Sequence, residues 1–305
     1  MSADDGRAEA CVERRSEALR RAADRLVRRR LPPAAPDGST PLWSASFFGL
    51  DRVPRFCAAD ESTRAAVLDD CATALLAEAW RIEHCGIDYC GRMTRVGESD
   101  DERRLFALIG ADEALHASLL ARWIASRAPQ PDPFSRFIAG LAEAGAPQPL
   151  AFLLQVVLEG FGIVHFGSLA TSCRDAGLAA TFRRIARDEA LHHAGGLATF
   201  SPDRLNEADR RFLEDAAYSF LQMIRCGPQG VIAALDRHIG LGDGNDSANV
   251  FAALDAEAAS ADKLARLRRL MAQPGMAWLL DRLDASGAFT ACPAGDCAQV
   301  YADTR

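Results

Sequence analysis

The chain has 305 residues, 49% of them hydrophobic and 25% charged, with a net charge of −7 and a pI near 5.5. That is enough apolar material for one large core, and the acidic balance removes any general electrostatic case for binding DNA. Nine cysteines without regular spacing point to reduced thiols and a cytoplasmic setting. The polar, acidic start Met1-Ser2-Ala3-Asp4-Asp5-Gly6 is unlike a secretory signal, and no apolar run reaches membrane-spanning length, so no membrane insertion is expected.

Strand signals are nearly absent. Alanine, leucine, arginine and glutamate recur at helical spacing, which makes the chain all-α. A basic helix is expected from Glu13 to Arg30, its arginines on a solvated face, ending at the proline-rich break of 31–38. The aromatic stretch Leu42–Leu50 should pack across a bundle. The first bundle helix is placed at 62–95 and the second at 99–127, with Gly97-Glu98-Ser99-Asp100 supplying a turn and a cap. Proline breaks at Pro129, Pro131 and Pro133 precede a short helix over 134–142. That length suits a long crossover after which the third helix runs parallel to the second. The third helix, 148–174, is the most apolar, and the fourth, 177–199, stops at Ser201-Pro202. Three or four more helices are expected over 205–286, broken at Gly227-Pro228, at 240–246 and at Gln273-Pro274-Gly275, and the last fifteen residues look loose. The organisation predicted is a lead-in over 1–61, a four-helix bundle over 62–199 and a helical extension over 200–305, together forming one domain.

Within the bundle the sequence repeats itself. Glu83-His84-Cys85-Gly86-Ile87 and Asp112-Glu113-Ala114-Leu115-His116 return, each 76 positions later, as Glu159-Gly160-Phe161-Gly162-Ile163 and Asp188-Glu189-Ala190-Leu191-His192. Residues three apart on a helix share a face, so Glu113 with His116, and Glu189 with His192, can reach one ion. Antiparallel pairing brings Glu83 level with Glu113 and Glu159 level with Glu189. Two single glutamates and two Glu-x-x-His pairs, one set per helix, are what a carboxylate-bridged dinuclear site in a four-helix bundle uses. Four carboxylates also balance two divalent cations, whereas four buried carboxylates alone would repel one another.

Around these six residues, Asp112 and Asp188 are placed to accept the distal ring N–H of a ligand histidine, each serving the histidine of the other helix. Gln155, four residues before Glu159 in an apolar helix, is expected to hydrogen-bond a ligand carboxylate. His193 has Ala117 at its counterpart position, which gives it a supporting or core role ahead of ligation. Gly86 and Gly162, three residues past the outer glutamates, indicate space beside the metals or close helix approach; with Ile87, Ile163, Trp80 and Phe166 they are candidates for lining an apolar substrate pocket. His84 and His165 are left unassigned. The tail pair Cys292 and Cys297 is spaced so that a redox-sensitive disulfide can form.

The set Glu83, Glu113-Ala114-Leu115-His116, Glu159 and Glu189-Ala190-Leu191-His192 resembles the ferritin-like diiron-carboxylate superfamily over about residues 62–199. Similar families include multicomponent hydroxylases, acyl-carrier desaturases, aldehyde-deformylating oxygenases, tRNA-hydroxylating enzymes and arylamine N-oxygenases. The radical-bearing subunit of ribonucleotide reductase is a poor match, because Leu120 stands at its tyrosine position. The resemblance implies two iron ions, or a manganese–iron pair, with O₂ as co-substrate and an external electron donor such as a reductase or ferredoxin. It implies an oxygenase or oxidase that hydroxylates, N-oxygenates, desaturates or oxidatively cleaves a small or carrier-tethered organic substrate, in a chain that can pair as a homodimer. The alternatives are a ferroxidase or peroxide-scavenging protein, or a tRNA-modifying hydroxylase.

Overall fold

Helix after helix follows from the caps and breaks of the sequence. The computed structural model describes residues 41–124, 133–242 and 244–303, all helix, turn or coil with no strand among them; the basic helix expected from Glu13 to Arg30 lies outside these residues. Helix α1, Glu61–Val96, starts where the Asp60 carboxylate accepts the Thr63 amide, and ends at Gly97. Helix α2, Asp100–Leu120, is capped by Ser99, whose hydroxyl accepts the Glu102 amide, and three acidic residues in its first turn oppose the positive end of the helix dipole. It stops seven residues short of the expected 127. Beyond it the chain turns, and Trp123 and Ile124 pack onto the apolar cluster at that end of the bundle.

Short α3, Pro133–Ala144, leads into α4, Pro147–Ser172. The middle of α4, Ala151–Leu158, is wound as a π-helix before ordinary winding resumes at Glu159. Helix α5, Ala176–Thr199, is capped by Asp175. By length and composition α4 does reach what a membrane span needs, with a mean hydropathy of 1.7 over its best window, so the sequence-based exclusion overlooked it; over half of that window is nevertheless buried in the protein core. A central core helix has the same composition for a different reason.

The contacts fix the directions. Tyr89 packs edge-on against Phe106, and a methyl on Gly86 would touch Glu113, so α1 and α2 are antiparallel. Gly195 lies against Leu105 and Ile109, while Asp188 meets His116, so α2 and α5 are antiparallel. Phe166 stacks on Phe182 and Gly196 abuts Gln155, so α4 and α5 are antiparallel as well. It follows that α2 and α4 run parallel, joined by the crossover that contains α3. The tightest packing is within the α1–α2 and α4–α5 hairpins, and α2 packs on α5.

Two apolar clusters bracket the middle of the bundle. One contains Trp43, Leu76, Leu120, Phe166, Phe182 and Ile185; the aromatic lead-in reaches it through Trp43, whose indole N–H donates to the Leu169 carbonyl. The other contains Tyr89, Phe106, Ile109, Phe152 and Val156, and continues into the later helices.

Residues Pro36–Arg305 form one compact unit. Past the bundle come five helices over 205–286 where three or four were expected: α6 Glu207–Arg225, α7 Gln229–Ile239, α8 Gly244–Ala253, α9 Ala256–Met271 and α10 Ala277–Ala285. The extra break is at Asp255, whose φ of 55° ends α8, and no glycine or proline announces it. The tail is not loose. Helix α11, Ala294–Asp303, packs on α8 and buries Cys297 and Tyr301.

That packing also changes the cysteine pairing. Cys292 Sγ lies 3.9 Å from Cys226 Sγ at the end of α6, whereas the Cys297 thiol is turned to the Cys292 carbonyl. Peroxide treatment is therefore expected to join Cys226 to Cys292. Peptide mapping should find that link in wild type and in Cys297→Ser, and lose it in Cys226→Ser. Burial pushes the Cys226 thiol up to about 12, so the reaction should be slow at neutral pH.

Candidate metal centre

Between the two apolar clusters lies a layer of acids and imidazoles. Glu83 from α1, Glu113 and His116 from α2, and Glu189 and His192 from α5 are all at most 4% exposed, and Glu159 from α4 is somewhat more open. Glutamate is almost never this buried without a partner. Here the ligand atoms converge: Glu83, Glu113, His116 and Glu189 form one group whose atoms lie within 4.8 Å of one another, and Glu113, Glu159 and His192 form a second. Glu113 belongs to both.

The distances show how the cluster is held. His116 Nδ1 is 3.1 Å from Glu83 Oε2 and 3.8 Å from Glu113 Oε2. His192 Nδ1 is 3.2 Å from Glu113 Oε1 and 3.7 Å from Glu159 Oε2, yet neither ring nitrogen of His192 has a hydrogen bond of good geometry, and Glu83 Oε1 has no partner. Buried polar atoms left without partners are costly. A cation facing the inward atoms would satisfy them, so the donor set fits a metal ion.

Without metal, protons do that work. Burial pushes the Glu83 carboxyl well above its usual range, with the charge of His116 opposing, and it lifts Glu159 to about 7 with help from the charge of Glu113. Burial raises Glu113 too, but its contacts with His116, His192 and Glu83 outweigh this and hold it below the ordinary carboxylate range. Desolvation would neutralise both imidazoles. The carboxylates overrule it, led by Glu83 at His116 and by Glu113 and Glu159 at His192, which rises to about 10.

Each aspartate lies against the histidine of the other Glu-x-x-His helix. His116 Nε2 is 3.1 Å from Asp188 Oδ2, and His192 Nε2 is 3.7 Å from Asp112 Oδ2. The Asp188 contact orients the His116 ring so that Nδ1 faces the glutamates.

The glycines differ in their surroundings. A methyl on Gly86 would come within 2.9 Å of the Glu113 carboxyl carbon, whereas one on Gly162 would sit 3.6 Å from Glu189 Oε2 in ordinary contact. Gly86→Ala should therefore push the shared carboxylate aside and weaken metal binding at least about tenfold, roughly 1.4 kcal/mol. Gly162→Ala should bind nearly as wild type. Titration of both variants with Co²⁺, followed by its visible absorption, checks the contrast.

The other candidates are placed as follows. Gln155 is fully buried, but both atoms of its amide lack a hydrogen-bond partner, so the expected bond to a ligand carboxylate is not made. It sits inside the π-wound segment, where the helical register runs differently from an ordinary turn. His193 packs its ring against Gly160 and stays outside both ligand groups. Phe166 is core, stacked on Phe182, and Trp80 packs edge-on against His84. Ile87 and Ile163 are half-buried. A surface concavity of the protein, lined by Glu207, Arg210, Trp278 and Arg282 among others, is on α6 and α10, away from the ligands.

Sequence reasoning missed Tyr89 as a neighbour of the cluster. Its buried hydroxyl has no partner and senses the charge of Glu159, and burial raises its pKa well above the usual value. Its position six residues past Glu83 was the available signal. The π-wound stretch just before Glu159 was missed as well, since Ala151–Leu158 is uniformly apolar and carries no periodic mark.

Comparisons with protein-family models, with curated proteins and with solved structures returned no match to this chain.

Proposed function

We propose that this chain is a non-haem diiron oxidase or oxygenase with the architecture of ferritin-like diiron-carboxylate proteins, acting on a small or carrier-tethered organic substrate. The observation that carries the proposal is the pair of buried ligand groups sharing Glu113. Glu83, Glu113, His116 and Glu189 would hold one ion, and Glu113, Glu159 and His192 the other. Two ferrous ions so held would supply the electrons that activate O₂, which no amino-acid side chain can do alone.

The protein contributes position and exclusion. Asp188 fixes the His116 ring, and on the α2–α5 side both imidazoles are buried away from water. The opposite side is more open: Glu159, Gly86, Ile87, Gly162 and Ile163 are all half-buried. Substrate and O₂ would approach between α1 and α4.

The decisive experiment loads the protein anaerobically with Fe²⁺ and then measures O₂ uptake with a chemical reductant and a panel of organic substrates. Uptake that continues far past the iron equivalents, coupled to a changed organic product, supports the proposal. Uptake that stops once the bound iron is oxidised marks a ferroxidase instead.

A further inference from the structure

The two halves of the ligand repeat differ one turn away from the ligands. Arg184 on α5 stands four residues before Asp188; 76 positions earlier, four residues before Asp112 on α2, the residue is Leu108. Residues four apart share a helix face, so each of these side chains lies beside the aspartate of its own helix. Arg184 Nε is 3.4 Å from Asp188 Oδ2, and that same oxygen is 3.1 Å from His116 Nε2. Leu108 offers Asp112 nothing polar and is 60% exposed. Among the described residues Asp112 has only His192 as a basic neighbour, at 3.7 Å.

The difference reaches the imidazoles. Asp188 is 20% exposed and sits between the Arg184 cation on one side and the His116 ring on the other. Asp112 is 40% exposed, so water competes for it, and His192 Nε2 has no hydrogen bond. A carboxylate that fixes the outer nitrogen of a ligand histidine also fixes the direction of the inner one. His116 Nδ1 is thereby held toward Glu83 and Glu113, a restraint the His192 ring lacks. The ligand groups lean the same way, four residues including His116 against three including His192. The charge of Arg184 by itself would act in the opposite sense, since one cation disfavours another nearby. Any firmer hold on an ion must come through Asp188.

We propose that Arg184 is a positioning residue: by holding Asp188 against His116 it makes the two metal positions unequal, so that the ion on His116 is retained while the ion on His192 exchanges. This rests on the dinuclear reading above. It gives the chain a way to take up two different divalent cations in order, the first into the four-ligand position and the second beside the less buried Glu159.

Stopped-flow removal of Co²⁺ by excess EDTA, followed by the visible absorption of the bound ion, tests this without any turnover. Wild-type protein should release its cobalt in two phases of similar amplitude. In Arg184→Leu the slow phase should quicken at least about fivefold, because outer partners of a ligand histidine are worth about ten- to a hundredfold in metal affinity. The fast phase should stay as it was, and Arg184→Lys should restore most of the slow one. Asp188→Ala should quicken the slow phase as well, and adding Arg184→Leu to it should change nothing more, since the arginine acts through the aspartate. At its exposed position, Leu108→Arg should supply the missing clamp and slow the fast phase about threefold.

Slow-phase release that is unchanged or slower in Arg184→Leu would overturn the inference, as would a fast phase that Leu108→Arg leaves alone. Equal quickening of both phases in Arg184→Leu would overturn it too, and reduce Arg184 to a part of the fold. Two ions leaving wild type at one rate would overturn it while sparing the dinuclear reading. A chain that binds fewer than two cobalt ions would end both.

Discussion

Glu113→Ala is expected to abolish binding of both metal ions, whereas Glu159→Ala should leave one bound. Wild-type protein loaded anaerobically with Fe²⁺ and stripped of excess should retain about two equivalents per chain. The difference between the variants comes from geometry. Glu113 is the carboxylate common to both ligand groups, while Glu159 serves the second alone. Removing Glu113 strips one charged ligand from each ion and leaves His116 and His192 without the acid between them. Removing Glu159 leaves Glu83, Glu113, His116 and Glu189 intact. Metal analysis with circular dichroism as a folding control reads the result. If Glu113→Ala kept one ion firmly bound, Glu113 would not be shared, and the dinuclear proposal would fail.

The second large effect is an inversion of pH dependence on metal loading. In metal-free protein both imidazoles are held protonated by neighbouring carboxylates, and Glu83 is held protonated by burial. A group whose pKa is raised by folding stabilises the fold below its unfolded value and loses that contribution as pH rises through the folded value. For His192 the window runs from about 6.5 to about 10, so the melting temperature of metal-free protein should fall across it. Metal binding needs neutral imidazoles and ionised carboxylates, and so releases protons. We expect release from both histidines and from Glu83, with a partial contribution from Glu159, whose pKa is about 7. Metal affinity, and with it the stability of the loaded protein, should then rise with pH over the same window. Scanning calorimetry of both forms between pH 6.5 and 9 tests the opposite slopes, and titration calorimetry in two buffers of different ionisation enthalpy counts the protons. Parallel slopes would mean that the ions bind elsewhere.

The helical class and most helix ends could be read from the sequence because they are written locally. Ser99 caps α2 and Gly97 ends α1 in the order of their residues. The glutamates and histidines stood out because a repeated pattern at helical spacing is a one-dimensional record of a shared face. What the sequence did not disclose depends on contacts through space. Cys226 and Cys292 are 66 positions apart and meet where the Cys292 amide donates to the Arg225 carbonyl at the end of α6. The break at Asp255 needs a left-handed residue that aspartate tolerates without advertising it. Identical motifs also end in unlike surroundings: Leu115 is buried and Leu191 is 70% exposed, although both sit in Asp-Glu-Ala-Leu-His. Neighbours that the repeat does not encode decide that difference.

The π-wound stretch of α4 constrains how this chain can change length. A π turn holds one more residue than the helix around it requires. Deleting a single residue within Ala151–Leu158 would let α4 close into regular winding with its hydrogen bonds intact. Because the residue lost is the surplus one, the parts of α4 on either side would keep nearly the same faces turned inward. Glu159 would stay at the ligand layer while Phe152 and Leu153 stay in the core they fill. Insertions and deletions are usually tolerated in loops and resisted in helices for the sake of folding. In this helix one residue can be lost without moving the ligand at its end.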